Sequence, residues 1–330
     1  MLSRRFNMRK VLLFLAVAVL LDECVEAQTR RVEEASFVTI GGIEQWVTIR
    51  GDDDRKPVLL LLHGGPGDVQ SPFISVYAPY ERDFVLVQWD ERGAGQTFAK
   101  NGAAGVTLER LIADGIDLAR QLRQRFPKQK LILFGHSWGS LIATGMAQQR
   151  PDLFDAYVGT GQVTGWADTV QFQFDFLKRR YKEKGDATAL AALEAIGKPD
   201  PQNGKEYFGW SRPIRQFLNA SDTAWFADMR RVATANGVSE TTVKAVEDGM
   251  AASGAALSFA DLPTTGVRFK IPCYGIQGRE DLFAPTPLVE AYFNNLSAPK
   301  KRLFVINGAG HFALATHQAD VIGALKQILR

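Results

Sequence analysis

Cysteine, net charge and long apolar runs are all scarce in this sequence, and each scarcity excludes a class of protein. Only Cys24 and Cys273 occur among 330 residues. No Cys/His cluster has metal-ligand spacing, so no metal site and no other cofactor is predicted. The formal net charge is only +3, and no basic stripe with interleaved aromatics exists, so nucleic acid is not an expected partner. With 46% hydrophobic and 23% charged residues, the composition is typical of a globular protein.

The longest apolar run, residues 11–21, lies near the N-terminus and is too short to span a membrane. Its eleven residues compare with the roughly 20 that a spanning helix needs, which disfavours an uncleaved anchor. Asp22 and Glu23 disfavour a lipoprotein signal at Cys24. Four positive charges precede the run: Arg4, Arg5, Arg9 and Lys10. We therefore predict a signal peptide over residues 1–27, cleavage near Ala27, and a mature protein that is periplasmic or secreted, without a membrane span.

Residues 131–144 have the pattern of a nucleophile carried on a sharp strand-to-helix turn. The apolar run 131–134 is followed by Gly135-His136-Ser137-Trp138-Gly139 and then by helical apolar spacing. In this setting G-x-S-x-G lifts the serine hydroxyl clear of the sheet edge. The two glycines are needed because a side chain at either place would crowd the turn. Ser137 is therefore the predicted nucleophile.

Apolar runs of strand length alternate with helical patterns through most of the chain. A hairpin is predicted around Gly41-Gly42, and an amphipathic helix from Thr107 to Arg125 with Thr107 as its N-cap. Buried strands are predicted at 58–62, 84–89, 131–134, 156–159, 271–276 and 303–306. This alternation predicts an α/β fold, with a mostly parallel sheet and helices on both faces.

The alternation is interrupted from Gly165 to about residue 265. This segment carries helical patterns rich in aromatic residues and no buried-strand run. It predicts a helical cap over 165–265, inserted between two core segments, 28–164 and 266–330. Most of the aromatics are expected to form a small core of their own.

The base that activates Ser137 should be a histidine after an acid in the chain, because this setting has the order Ser, Asp or Glu, His. His311 directly follows the strand 303–306, where a sheet presents loop residues at its carboxyl edge. His317 lies in the predicted C-terminal helix and is expected to be a surface histidine. His311 is therefore the predicted base.

The acid that orients His311 should follow an earlier strand at the same edge of the sheet. Asp281 comes after the strand 271–276 and is the predicted acid, with a turn-forming role as the alternative. Its neighbour Glu280 is expected to face elsewhere. The other common placement is weaker, because no acid follows the strand near Gly159 before Asp168.

Acyl transfer also needs two N–H donors for the oxyanion of the tetrahedral intermediate. The backbone N–H of Trp138 is one. The loop after residue 62 should supply the other, and we assign Gly65, with His63 bracing the loop.

Five motifs together resemble the α/β-hydrolases of the prolyl aminopeptidase (proline iminopeptidase) type. The resemblance spans essentially the whole mature chain and rests on His63-Gly64-Gly65-Pro66-Gly67, Asp90-Glu91-Arg92-Gly93-Ala94-Gly95, Gly135-His136-Ser137-Trp138-Gly139-Ser140, Gly278-Arg279-Glu280-Asp281 and Gly310-His311. It implies a helical cap, Ser137, Asp281 and His311 as the triad, and Gly65 and Trp138 as the oxyanion hole.

Two departures from the family pattern matter. Glu91 stands where the family usually has glutamine, which we expect to be a tolerated turn change. The family holds the substrate's amine with cap glutamates, one in a Trp-Glu pair, but Trp210 and Trp225 are followed here by Ser211 and Phe226. Specificity for an N-terminal proline is therefore not implied.

The remaining candidates for substrate binding in the cap are Glu206, beside Trp210, and the pair Glu240 and Glu247. Seven residues separate this pair, which places both on one helical face. The alternative for each is a solvated charge on a helix surface.

The sequence thus predicts an exported serine hydrolase that cleaves small-molecule or short-peptide amides or esters through an acyl-enzyme. A prolyl-aminopeptidase-like peptidase is preferred. The alternatives are a carboxylesterase or lactonase of the same fold, or a non-catalytic relative that only binds a ligand. The oligomeric state is not predicted.

Overall fold

The computed structural model describes residues 30–199, 204–257 and 266–330, and its centre is an eight-stranded sheet. The strands are β1 (Val32–Ile40), β2 (Ile43–Gly51), β3 (Val58–Leu62), β4 (Val85–Asp90), β5 (Leu131–His136), β6 (Ala156–Thr160), β7 (Cys273–Gly278) and β8 (Lys301–Ile306). Their order across the sheet is β1-β2-β4-β3-β5-β6-β7-β8. β2 is antiparallel to both of its neighbours, and the other pairs are parallel. The predicted mostly parallel sheet is confirmed.

The uninterrupted apolar run of β3 follows from burial on both faces of the sheet. Leu60 and Leu62 pack into a first hydrophobic core. Leu59 and Leu61 point the other way, into a second core. Successive side chains of a strand alternate between the faces, so a strand that is covered on both sides needs an apolar residue at every position.

Helices cover both faces of the sheet. Within the described residues they are α1 (Ile74–Glu81), α2 (Gly95–Asn101), α3 (Leu108–Arg125), α4 (Trp138–Gln149), α5 (Trp166–Lys184), α6 (Ala187–Ile196), α7 (Gly204–Trp210), α8 (Ala220–Ala235), α9 (Glu240–Ala256), α10 (Thr286–Asn295), α11 (Ala313–Thr316) and α12 (Gln318–Ile328). Residues of α3 and α10 pack into the first core, and residues of α1 and α12 into the second. The predicted layered α/β architecture is confirmed.

Local signals in the sequence fix the ends of several elements. Gly41 and Gly42 join β1 to β2 with φ values of 56° and 84°, a left-handed turn that glycine adopts without a Cβ penalty. The Thr107 hydroxyl accepts a hydrogen bond from the Arg110 N–H at 3.1 Å, which confirms the predicted N-cap of α3.

Helices α5 to α9 lie in the chain between β6 and β7, where the helical insertion was predicted. Their own core contains Val170, Leu177, Tyr181, Leu193, Trp210 and Ile214. Trp225 is an exception among the aromatics, because it packs into the second core of the sheet. Segments 200–203 and 258–265 of the insertion lie outside the described residues.

The observed bounds of β7 and the position of His317 differ from the predictions. β7 begins at Cys273 rather than Ile271, because Pro272 has no N–H for the ladder. His317 lies between α11 and α12 rather than inside a helix, and it is half-buried. Cys273 is a buried free thiol.

The predicted signal peptide, residues 1–27, lies outside the described residues. In the part of the chain that is described, no helix combines the length and the apolar character needed to cross a membrane.

Candidate active site

Ser137 occupies a strained turn between β5 and α4. Its φ of 52° is the only positive value at a non-glycine residue in the described ranges, and such strain is typical of functional positions. The Ser137 N–H donates to the Thr160 carbonyl at 2.9 Å. A Cβ added to Gly139 would lie 2.5 Å from the Leu62 carbonyl oxygen. The turn therefore packs as tightly as the sequence pattern predicts.

Asp281 and His311 form a buried hydrogen-bonded pair in the loops after β7 and β8. The Asp281 carboxylate oxygens lie 3.0 and 2.9 Å from His311 Nδ1. Oδ1 also accepts from the N–H groups of Phe283 and Ala284, both at 2.8 Å, and Oδ2 accepts from Gln277 Nε2 at 2.9 Å. The carboxylate is thus held by donors on both oxygens and is oriented towards the imidazole.

The environment of His311 favours its protonated form. Burial of the imidazole lowers its pKa, but the charge and hydrogen bond of Asp281 and the charge of Asp222 outweigh burial, so the pKa lies above its ordinary value. An imidazole held in this way can accept a proton and stabilise the resulting charge.

The loops after β5 and β8 bring Ser137 and His311 to the same edge of the sheet. His136 immediately precedes Ser137, and its ring centroid lies 4.9 Å from that of His311. A Cβ added to Gly161 would lie 2.8 Å from His311 Cε1 and 3.4 Å from His136 Cε1, so a glycine is needed between the two rings. Ser137 is half-buried, and a hydroxyl, an imidazole and a carboxylate at one edge are the components of nucleophilic acyl transfer.

The loop after β3 lies against the serine. A Cβ added to Gly64 would be 3.5 Å from the Ser137 Cβ. Among the described residues, none accepts a hydrogen bond from the Gly65 N–H. Trp138 is the first residue of α4 and is buried. The loop that carries Gly65 therefore lies against Ser137 through Gly64, and Trp138 directly follows Ser137 in the chain.

His63 fastens this loop to the sheet, as expected. Its Nδ1 lies 2.7 Å from the Gly64 carbonyl oxygen, and its Nε2 accepts from the Glu91 N–H at 3.3 Å. Burial lowers the pKa of His63 to about 4. The ring is therefore neutral near pH 7, with Nδ1 as its donor, and it orders the loop backbone.

Glu91 differs from the expected turn residue, because its side chain is fully buried. Its Oε1 lies 3.8 Å from His63 Nε2. Burial raises the pKa of Glu91 well above its ordinary value, although a hydrogen bond from the Trp138 side chain lowers it. A neutral carboxylic acid has nearly the shape of the glutamine that the family usually carries. This explains in physical terms why glutamate is accommodated here.

The structure places Glu240 and Glu247 on the surface rather than towards Ser137. Both pair with the exposed Arg230, at 2.8 and 3.4 Å. On the opposite side of α9, the Ser253 hydroxyl donates to the Gly93 carbonyl at 2.9 Å. At about 100° per residue, positions 240 and 247 lie roughly opposite position 253 on the helix. The prediction that Glu240 and Glu247 share one helical face is confirmed, but this face meets solvent.

The other two cap candidates are divided between surface and core. Glu206 is exposed, whereas Trp210 is buried. The Trp210 indole N–H donates to the Gly197 carbonyl at 2.8 Å. Its one polar atom is therefore used in a hydrogen bond within the inserted segment. In the described ranges no group of three or more His, Cys, Asp or Glu side chains is placed to hold a metal ion.

Sequence reasoning missed Asp222, whose carboxylate accepts hydrogen bonds from the backbone N–H groups of His311 and Phe312. Its only local signal is Asn219, three residues earlier, which marks the start of α8. Nothing in the sequence indicates a contact across 89 residues.

The comparisons with known proteins agree with this geometry. A family model described as "alpha/beta hydrolase fold" matches residues 57–318. The chain is similar to the "Probable aminopeptidase YbaC" of Bacillus subtilis, with 31% identity over 83% of this chain and 89% of that protein. It is also similar to a proline iminopeptidase of Clostridioides difficile, with 24% identity over 52% of this chain and 56% of that protein.

Solved structures share the fold at low sequence identity. An esterase from Thermogutta terrifontis has a TM-score of 0.58 at 17% identity, covering 92% of this chain and 98% of that chain. A proline iminopeptidase-related protein from Thermus thermophilus has a TM-score of 0.55 at 20% identity, covering 90% and 97%. The resemblance inferred from the five motifs is confirmed.

Proposed function

This chain belongs to the alpha/beta hydrolase fold family and is a hydrolase, and we propose that it is an exported serine hydrolase that works through an acyl-enzyme. The observation that carries the proposal is that a strained Ser137 and the hydrogen-bonded Asp281–His311 pair follow strands of one parallel sheet at the same edge, with the ring of His136, the neighbour of Ser137, 4.9 Å from that of His311. Ser137 is the nucleophile, His311 the general base and Asp281 the residue that orients it.

Each residue has a defined step in this mechanism. His311, with the Nδ1 proton donated to Asp281, takes the Ser137 proton at Nε2 as the hydroxyl oxygen attacks the substrate carbonyl. The N–H groups of Gly65 and Trp138 stabilise the oxyanion, and one such donor typically contributes about 3–4 kcal/mol. His311 then protonates the leaving amine or alcohol, and water releases the acyl group by the reverse route.

We assign residues 28–164 and 266–330 to the catalytic core and residues 165–265 to a cap over Ser137. Contacts on two sides of the site support this assignment. The Phe226 ring of α8 lies 5.0 Å from that of Phe312, next to His311. A Cβ added to Gly67 would lie 2.8 Å from the Gly249 carbonyl oxygen of α9, so that helix rests on the loop that carries Gly65.

The preferred substrates are small amides with a free amine, including short peptides. The B. subtilis relative named as an aminopeptidase supports this preference. An aminopeptidase must hold an ammonium group two bonds from the carbonyl carbon, so its counter-charge must lie close to the oxyanion loop. The exposed positions of Glu240 and Glu247 favour a second candidate, an esterase without such a counter-charge.

Asp68 is the carboxylate that we assign to the ammonium. It is half-buried in the same loop as Gly65, and a Cβ added to Gly65 would lie 3.5 Å from the Asp68 Cβ. Its Oδ1 accepts from the Val69 N–H at 2.8 Å. Burial raises the pKa of Asp68 to about 6, although that hydrogen bond lowers it. The group is therefore charged at neutral pH and desolvated enough to discriminate strongly.

A comparison of paired substrates distinguishes the peptidase from the esterase. We expect Asp68→Asn to reduce kcat/KM for an aminoacyl anilide by about 10- to 100-fold, because a buried ammonium loses its partner. The rate for p-nitrophenyl acetate should be preserved, and N-acetylation of the anilide should abolish its turnover. The wild-type preference for the free amine should fall as the pH drops through about 6, where Asp68 becomes protonated.

The matched control is Glu247→Gln, which removes an exposed cap carboxylate and should change neither rate. If the acetylated anilide or simple esters turn over as well as the free amine does, the esterase replaces the peptidase.

Export can be tested separately from chemistry. The positively charged start and the apolar run 11–21 predict removal of the first 27 residues. N-terminal sequencing of material recovered outside the cytosol should begin near Gln28. Recovery of an intact Met1 from the cytosol would contradict export and leave the hydrolase proposal untouched.

A further inference from the structure

The loop that carries His311 is held by a carboxylate from the inserted helices. Asp222, in the first turn of α8, is fully buried. Its Oδ2 lies 2.6 Å from the His311 backbone N, and its Oδ1 lies 3.2 Å from the Phe312 backbone N. One carboxylate therefore accepts two consecutive N–H groups, one of them from the base itself.

The start of α8 is built around this contact. Asn219 caps the helix by accepting from the Asp222 N–H at 3.0 Å, and its amide donates to the Gly308 carbonyl at 2.8 Å. A Cβ added to Gly310 would lie 2.2 Å from Asp222 Oδ2. Only glycine at position 310 allows the carboxylate to approach so closely. The first turn of α8 thus forms hydrogen bonds with the His311 loop both before and after Gly310.

A carboxylate is the side chain that this geometry needs. Burying a carboxyl group is costly unless hydrogen bonds replace its water, and here each oxygen receives one N–H. An asparagine has only one acceptor oxygen, so its amide group would meet one of the two N–H donors. The position of Asp222 at a helix N-terminus also favours negative charge.

We propose that Asp222 is a positioning residue for His311. Through this contact, the packing of α8 against the core determines whether His311 is correctly placed to act as the general base. The inference rests on the proposed function, because it assigns His311 that role. Asp281 fixes the ring from its Nδ1 side, and Asp222 fixes the backbone from which the ring projects.

The charge of Asp222 also acts on His311, and this provides a readout beyond stability. The titratable groups that face His311 are Asp281 on Nδ1, His136 at 4.9 Å between ring centroids, and Asp222 at the backbone. Burial lowers the pKa of His311, whereas Asp281 and Asp222 raise it. Removing Asp222 should therefore lower that pKa. Because the base acts when neutral, the acidic limb of kcat/KM should move to lower pH.

The test compares Asp222→Asn with Asp228→Asn, the same change on the exposed face of α8, where Asp228 pairs with Arg231. With p-nitrophenyl acetate, we expect Asp222→Asn to lower kcat by about 10- to 100-fold, as displacement of a catalytic group does. KM should change by less than about twofold, and the acidic limb should shift downwards. Labelling by a fluorophosphonate should slow in parallel, whereas Asp228→Asn should match the wild type.

A second variant keeps every charge and disturbs only the contact. Gly310→Ala should push the Asp222 carboxylate away and lower kcat. In the double variant with Asp222→Asn, the decrease in kcat should be smaller than the product of the two single fold-decreases, because both changes disturb the same contact. If Asp222→Asn lowers only the unfolding midpoint, with kcat per labelled site and the pH profile unchanged, Asp222 is merely structural and the inference is overturned. A wild-type protein that neither reacts with the probe nor hydrolyses any substrate overturns the proposed function itself.

Discussion

Replacement of Ser137 by alanine is expected to lower kcat by about 10⁴- to 10⁶-fold, because the covalent route disappears while the oxyanion donors remain. Labelling by a fluorophosphonate should be lost completely. The structure offers a reason for selectivity at this position. Ser137 is half-buried on a turn with a φ of 52° and lies beside the Gly64 backbone. Its neighbour in the chain, His136, has its ring centroid 4.9 Å from that of His311.

The control for this change is Ser36→Ala, which removes an exposed hydroxyl from the edge strand β1 and should leave labelling and turnover intact. Ser140 is unsuitable as a control, because its hydroxyl donates to the Ser137 carbonyl at 2.6 Å and braces the turn. Stoichiometric labelling of the Ser137→Ala protein would identify a different nucleophile and overturn the assignment.

The parts of this molecule that depend on short-range chemistry could be predicted from the sequence. The crowding around Gly139, the cap at Thr107 and the buried strand β3 each follow from a few neighbouring residues. The contact between His311 and Asp281 could also be predicted, because the loops that follow parallel strands lie at one edge of the sheet.

Features that depend on which way an element turns were out of reach. Glu240 and Glu247 share a helical face, but the packing of Ser253 against Gly93 decides that this face meets solvent. Glu91 reads as a turn residue, yet the fold buries it. These outcomes depend on tertiary contacts that local spacing does not encode.

Asp222 illustrates the same limit at the candidate site. In the sequence Asp222 is an acid in the first turn of a helix, and the helix dipole alone is sufficient to explain an acid at that position. Its hydrogen bond to the His311 N–H exists only because α8 docks on the loop after β8. A contact between residues that lie 89 positions apart in the chain therefore needs a structure to be found.

The second large effect is expected at Asp281, where asparagine should lower kcat by about 10⁴-fold at neutral pH. The reason is the donor set around the carboxylate. Oδ1 accepts from two backbone N–H groups, and Oδ2 accepts from the Gln277 amide. The amide group of an asparagine would face a donor in either orientation. Gln277 cannot simply turn over to compensate, because its Nε2 also donates to the Ala284 carbonyl at 2.8 Å.

This change also alters the tautomer of the base. Both carboxylate oxygens lie within 3.0 Å of His311 Nδ1, so an asparagine N–H would donate to Nδ1 and move the imidazole proton to Nε2. A protonated Nε2 cannot accept the Ser137 proton. One unsatisfied buried donor should further lower the free energy of unfolding by about 1–3 kcal/mol.

The measurement pairs Asp281→Asn with Glu280→Gln, the same chemical change on an exposed neighbour. Asp281→Asn should lose turnover, show a lower unfolding midpoint, and shift the acidic limb of its residual kcat/KM to lower pH. The direction of this shift follows from the charge and hydrogen bond of Asp281, which raise the pKa of His311 against the effect of burial and are lost in the variant. Glu280→Gln should behave as the wild type. If the loss of turnover followed Glu280→Gln instead, the orienting acid would be Glu280, and the contact between Asp281 and His311 Nδ1 would have no catalytic role.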